Sequence, residues 1–143
     1  MIKVYTDAAY QPKTKQVGIG IIIQENKEQL LFKYMVSDID DNHLGEFLAL
    51  LLAIKLIKQS DKQNALIQYL SDSQIVIDSL RKGYVHNTSY KNVLAQIINY
   101  LLEIPMFFPQ WISESNNRGA DTLSKQALHQ YGNVKKISLK DLF

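Results

Sequence analysis

With 143 residues, 46% of them hydrophobic and 21% charged, the chain has the size and balance of one soluble globular domain, residues 1–143, able to bury a real core. It has no cysteine, which excludes a disulfide framework and a thiolate metal site, and a net charge of +2 does not by itself argue for a polyanionic partner. The longest apolar run, Phe47 to Ile54, falls far short of the ~20 residues a membrane span needs, and Ile2 to Thr6 opens as a strand rather than a signal peptide, so a cytoplasmic protein is expected.

Met1 to Ala8, rich in Ile, Val, Tyr and Thr, predicts a first strand. A polar turn over Tyr10 to Gln16, with Pro12 inside it, leads to a second strand, Val17 to Ile23. Gln24 to Glu28 reads as a hairpin loop and Gln29 to Ser37 as a third strand. The period then changes. His43 to Gln59 lacks proline, is made of strong helix formers and places Leu44, Phe47, Leu48, Leu51 and Ile54 at helical spacing. Leu50, Leu52 and Leu56 widen that stripe, which predicts a helix covered on most sides. Ala65 to Leu70 predicts a fourth strand, and Ser71-Asp72-Ser73 supplies capping residues for a helix to about Arg81, ended by Gly83. Asn87-Thr88-Ser89 caps a further helix through Glu103, stopped by Pro105. Met106 to Ile112 predicts a fifth strand, and Asn116 or Asn117 caps a last helix to about Tyr131. Val134 to Phe143 is ambiguous, with room for one more short element.

Four carboxylates are hard to explain by folding alone. Asp7 and Asp72 each close a short apolar run, and ligands of open α/β sheets gather at the carboxyl ends of strands. Glu46 has Ala49, Leu50 and Ala53 three, four and seven residues on. A carboxylate buried on such a face costs several kcal/mol or is driven to protonate. Asp121 opens the last helix. Taken singly, Asp72 is equally well read as a helix N-cap and Asp121 as a complement to the helix dipole. If the four converge, their repulsion calls for cations, and hard oxygen donors select Mg²⁺ or Mn²⁺.

In order and spacing these residues resemble the ribonuclease H family, type 1, in its compact branch. The resemblance rests on Thr6-Asp7-Ala8-Ala9, Gly18-Ile19-Gly20, Glu46, Ser71-Asp72-Ser73 and Asn117 with Ala120-Asp121, and it covers Met1 to Leu128. It implies an α/β, ribonuclease H-like fold: a five-stranded mixed sheet, an antiparallel meander 3-2-1 joined by parallel strands 4 and 5, with helices on both faces. It also implies hydrolysis of the RNA strand of an RNA–DNA hybrid by a monomer, with two divalent ions about 3.5–4 Å apart and no organic cofactor. Asp7 would bridge the ions, Glu46 and Asp72 would share one of them, and Asp121 would complete the other site. Thr6, Ala8, Ala9, Lys13, Lys15, Asn42, Ser73 and Asn117 are the expected nucleic-acid contacts.

Three features depart from the family pattern. Ala8 stands where glycine is usual, the loop Trp111 to Asn117 has no histidine and carries Glu114 where the branch often has arginine, and Gly83 to Tyr90 is too short for a basic protrusion. The alternative these departures favour is a hybrid-binding module of the same fold with weak or no turnover. A 3′–5′ exonuclease of related fold would carry a second acid where Ala9 stands. His43, His86 and His129 are read as surface or core residues rather than as the missing loop histidine.

Overall fold

The computed structural model describes residues Met1–Phe143. Three long antiparallel strands, β1 (Ile2–Gln11), β2 (Gln16–Glu25) and β3 (Glu28–Ser37), come first. They are followed by α1 (Asn42–Gln59), β4 (Ile67–Ser71), α2 (Gln74–Lys82), α3 (Thr88–Leu101), β5 (Phe107–Trp111), α4 (Arg118–Leu128) and β6 (Lys135–Ser138). Short 3-10 turns cover Glu114–Asn116 and Leu139–Leu142. The sheet order is β5-β4-β1-β2-β3-β6, with β4 parallel to β1, β5 parallel to β4 and β6 parallel to β3. No helix is long and apolar enough to cross a membrane.

The expected five strands become six. Lys135–Ser138 is too short and too rich in lysine to declare itself, and it forms a strand because the edge of β3 offers it a ladder from Tyr34 to Ser37. The residues that follow hold it there. Leu142 is buried, Lys55 Nζ donates to its carbonyl at 3.1 Å, and Ser138 and Asp141 form a capping box.

The apolar core lies between the sheet and α1, α2 and α3, with α1 buried along most of its length. On the opposite face α4 lies across β1, β2 and β3. Two close approaches set the helices. A methyl group at Gly18 would meet the Ser124 carbonyl at 2.1 Å, and one at Gly20 the Ala120 carbonyl at 2.4 Å, so α4 rests directly on the backbone of β2. A methyl group at Gly45 would stand 2.6 Å from Val17 Cγ2, which draws the first turn of α1 down onto β2. All three glycine positions serve close packing, since none has a left-handed backbone.

Candidate active site

Asp7 does not end a strand, as its sequence context predicts; β1 continues to Gln11, and Asp7 stands opposite Gly20 of β2. The parallel pairing of β1 with β4 ends at Tyr5 and Leu70. Beyond that point the strands part, β4 finishes at Ser71, and Asp72 follows beside Asp7. Asp41, rather than any site residue, caps α1, accepting from His43 N at 3.1 Å. Glu46 then lies one turn into α1, against the β1 backbone at Ala8.

One carboxylate oxygen from each of Asp7, Glu46 and Asp72 lies within 4.8 Å of the other two. Asp121 joins them across a cavity of about 350 Å³ lined by Asp7, Ala8, Asn42, Glu46, Asp72, Glu114, Asp121 and Lys125. The four acids picked out in the sequence thus surround one cavity. Asp121 also forms an ion pair with Lys125 Nζ one turn along α4, at 3.0 Å.

Neither rival reading of Asp72 and Asn117 as helix caps describes their side chains. Ser73 holds the N-cap position of α2 and Asn117 that of α4, and neither makes a side-chain cap bond. Asn117 Nδ2 donates instead to the Thr6 carbonyl at 2.9 Å and to Asp72 Oδ2 at 3.3 Å, tying α4, β1 and β4 together beneath the site.

Packing these acids together has a large electrostatic cost. Burial, then the charge of Asp72, raises the Asp7 carboxyl from 3.8 to about 8. Burial raises Glu46 well above its ordinary value, with Asp7 and Asp72 adding to it and the Ala8 amide opposing. Asp72 is raised chiefly by burial; the Asn117 amide opposes the shift, while Glu114 and Asp121 reinforce it. Glu46 Oε2 is buried with no hydrogen-bond partner. A lone buried carboxylate oxygen beside two more acids is an arrangement that a hard divalent cation completes. The donor set fits such an ion.

Among the expected nucleic-acid contacts, Ala8 and Asn42 line the cavity. Three others are buried in the structure. Thr6 is fully enclosed and hydrogen-bonded to Tyr69 at 2.6 Å, Asn117 is 1% exposed, and Ser73 is 8% exposed. Thr6 follows Ile2 and Val4 on the inward alternation of β1, a signal already present in the sequence. Ala9, Lys13 and Lys15 lie outside the cavity lining, and Lys15 pairs with Asp40 at 3.1 Å. His86 is exposed and packs edge-on against Tyr84, and it does not line the acid cavity. Two lining residues, Glu114 and Lys125, were not among the expected site residues. Lys125 was legible from its i+4 spacing to Asp121.

A meander flanked by parallel strands, with acids from β1, α1, the end of β4 and α4 meeting at one point, is the ribonuclease H fold. The comparisons agree. The sequence profile of the family described as "Reverse transcriptase-like" matches residues 5–127. EbsB of Enterococcus faecalis, which carries the name of a hydrolase, is 32% identical over 139 residues, covering 95% of this chain and all of that protein. Ribonuclease H1 of the archaeon Halobacterium salinarum superposes with a TM-score of 0.79 at 18% identity, over 90% of this chain and 98% of that one. LC11 ribonuclease H1, isolated from compost by a metagenomic approach and solved with an RNA/DNA hybrid, superposes with a TM-score of 0.82 at 21% identity, over 91% and 98%. The chain belongs to the reverse transcriptase-like family and has the ribonuclease H fold.

Proposed function

We propose that this chain is a divalent-cation-dependent endoribonuclease that cuts the RNA strand of RNA–DNA hybrids, with Asp7, Glu46, Asp72 and Asp121 as the cation-holding residues. The observation that carries the reading is the acid triad around the orphaned Glu46 oxygen. It is supported by the hybrid-bound state of the similar LC11 enzyme. Bound at these acids, Mg²⁺ or Mn²⁺ supplies neutralisation of phosphate charge and acidification of water.

The residues of the chain have definable parts in this. Asp7, backed by the rigid β1–β2 ladder, offers its carboxylate toward both Glu46 and Asp121. Asn117 fixes the rotamer of Asp72 through its amide, so that acid is oriented before any ligand arrives. Asn42 and Ala8 form the wall along which a sugar edge can approach, and the 2′-hydroxyl is the group that separates an RNA strand from its DNA partner. The loop after β5 has no imidazole, so that loop contributes no proton shuttle that titrates near neutrality.

The test is cleavage of an end-labelled RNA–DNA hybrid against single-stranded RNA, double-stranded RNA and DNA, with Mg²⁺, Mn²⁺ or EDTA, and with Asp72→Asn as control. Cation-dependent cutting confined to the RNA of the hybrid, and lost in the variant, is the expected result. A hybrid bound but never cut gives the binding-module reading instead, and cutting unaffected by Asp72→Asn overturns the assignment of the site.

A further inference from the structure

Glu114 is a fifth acid at the cavity, and nothing in the fold requires it there. It begins the short 3-10 turn that follows β5, and that turn is pinned to the Asp72 segment on both sides. Before it, Trp111 Nε1 donates to the Asp72 carbonyl at 3.2 Å and Ile112 N to the Ser71 carbonyl at 2.9 Å. After it, Asn117 N donates to the Glu114 carbonyl at 3.0 Å while the Asn117 side chain holds Asp72. Glu114 therefore has a backbone fixed relative to Asp72. It is exposed and makes no ion pair, for Lys125, the only basic residue lining the cavity, is engaged by Asp121.

We infer that Glu114 is an additional cation-recruiting residue of this site and that it makes nucleic-acid binding depend on prior loading with divalent cations. The inference rests on the function proposed above. The orphaned, buried Glu46 oxygen already marks the cavity as a cation site. A further carboxylate at its mouth, joined there by one lysine that is already paired with Asp121, deepens the negative potential that draws cations in. The same potential repels a phosphate backbone until cations arrive. Glu114 thus acts in opposite directions on the two ligands, whereas a residue that merely braced the loop would act on neither separately from folding.

The experiment compares the full chain with Glu114→Gln, an isosteric change at an exposed position, and with Glu103→Gln as a remote acid control. Mn²⁺ affinity is measured by calorimetry, and binding of a labelled RNA–DNA hybrid by anisotropy in EDTA. For Glu114→Gln the expected outcome is Mn²⁺ binding weakened about five-fold, as for one unit charge at a solvated distance, and hybrid binding in EDTA strengthened about three-fold. Both effects should shrink as KCl is raised, and the melting temperature should stay unchanged. Unchanged affinities, changes matched by Glu103→Gln, or changes of the same sign for both ligands overturn the inference while leaving the site reading intact. A parent protein that binds no Mn²⁺ overturns both. Should Glu114→Gln fold poorly, Glu114→Ala is read by the same two affinities.

Discussion

Replacing Asp7 by asparagine removes one charge from the crowded site, and the pH dependence of the effect is diagnostic. In metal-free protein, burial and then the field of Asp72 hold the Asp7 carboxyl at about 8 rather than 3.8. Between those values the unfolded chain has released its proton and the folded chain has kept it, so stability falls as pH rises. The penalty is absent below about pH 4, grows across the neutral range and is complete above about pH 8. At about 1.4 kcal/mol per tenfold change in proton affinity it reaches roughly 5 kcal/mol. Asparagine mimics the neutral acid and does not titrate, so the variant escapes this penalty. In urea melts with EDTA, Asp7→Asn should exceed the parent in stability by a margin that widens about 1.4 kcal/mol per pH unit between pH 5 and 8. At about 3 °C per kcal/mol for a chain of this size, the melting temperatures should differ by roughly 15 °C at pH 8. Saturating Mn²⁺ should narrow or invert the gap, because only the parent gains fully from binding. A variant less stable than the parent at every pH, or a margin flat with pH, would show Asp7 to be a structural residue and refute the reasoning.

Glu46→Gln should likewise raise stability in EDTA and abolish stabilisation by Mn²⁺ and hydrolysis together, a combination read by thermal melts with and without metal. Gly20→Ala forces a methyl group to within 2.4 Å of the Ala120 carbonyl and 2.7 Å of Leu123 Cβ. It should cost about 1–3 kcal/mol and depress cleavage further than stability alone explains, since it lifts Asp121 away from Asp7; kcat at a temperature where the variant is fully folded checks this. Cation affinity should rise with pH until about pH 8, because protons on Asp7 and Glu46 compete for the same oxygens. Activity should therefore climb through the neutral range, more steeply with Mg²⁺ than with the more acidifying Mn²⁺. A bell-shaped profile near neutrality that His86→Ala removes would instead give His86 the proton-transfer role.

Much of the architecture was legible because local signals agreed with tertiary ones. The first two strands are rich in β-branched residues, the middle of the first helix is a long apolar run, and Gly83 ends α2 in the left-handed conformation at φ +80 that its position predicts. The four acids were legible for a different reason: Glu46 violates what its helix needs, and the order of all four along the elements matches the family pattern. What escaped is equally instructive. The strand β6 could not be read because four residues, three of them polar, become a strand only when an edge is present to receive them. The capping roles assigned to Asp72 and Asn117 are real possibilities locally, but the Asn117 amide reaches across 45 residues of sequence to Asp72, and no local rule weighs such a bond. Glu114 stood out only as the absence of an arginine, because a loop gives no periodicity from which to infer where a side chain points.

The assembly of the acids follows from packing that does not involve charge. Loss of the β1–β4 ladder after Tyr5 and Leu70 opens the space beside Asp7. Gly45 lowers α1 so that Glu46 reaches Ala8, and Gly18 and Gly20 let α4 settle so that Asp121 reaches the same point. Each device is held by apolar contacts that remain whatever the ionisation of the site. The repulsion among the acids is therefore borne by the core rather than relieved by local rearrangement. This is why the cluster stays preformed, why neutralising one acid should stabilise the metal-free fold rather than collapse it, and why the binding energy of a cation is available for orienting substrate instead of for ordering the protein.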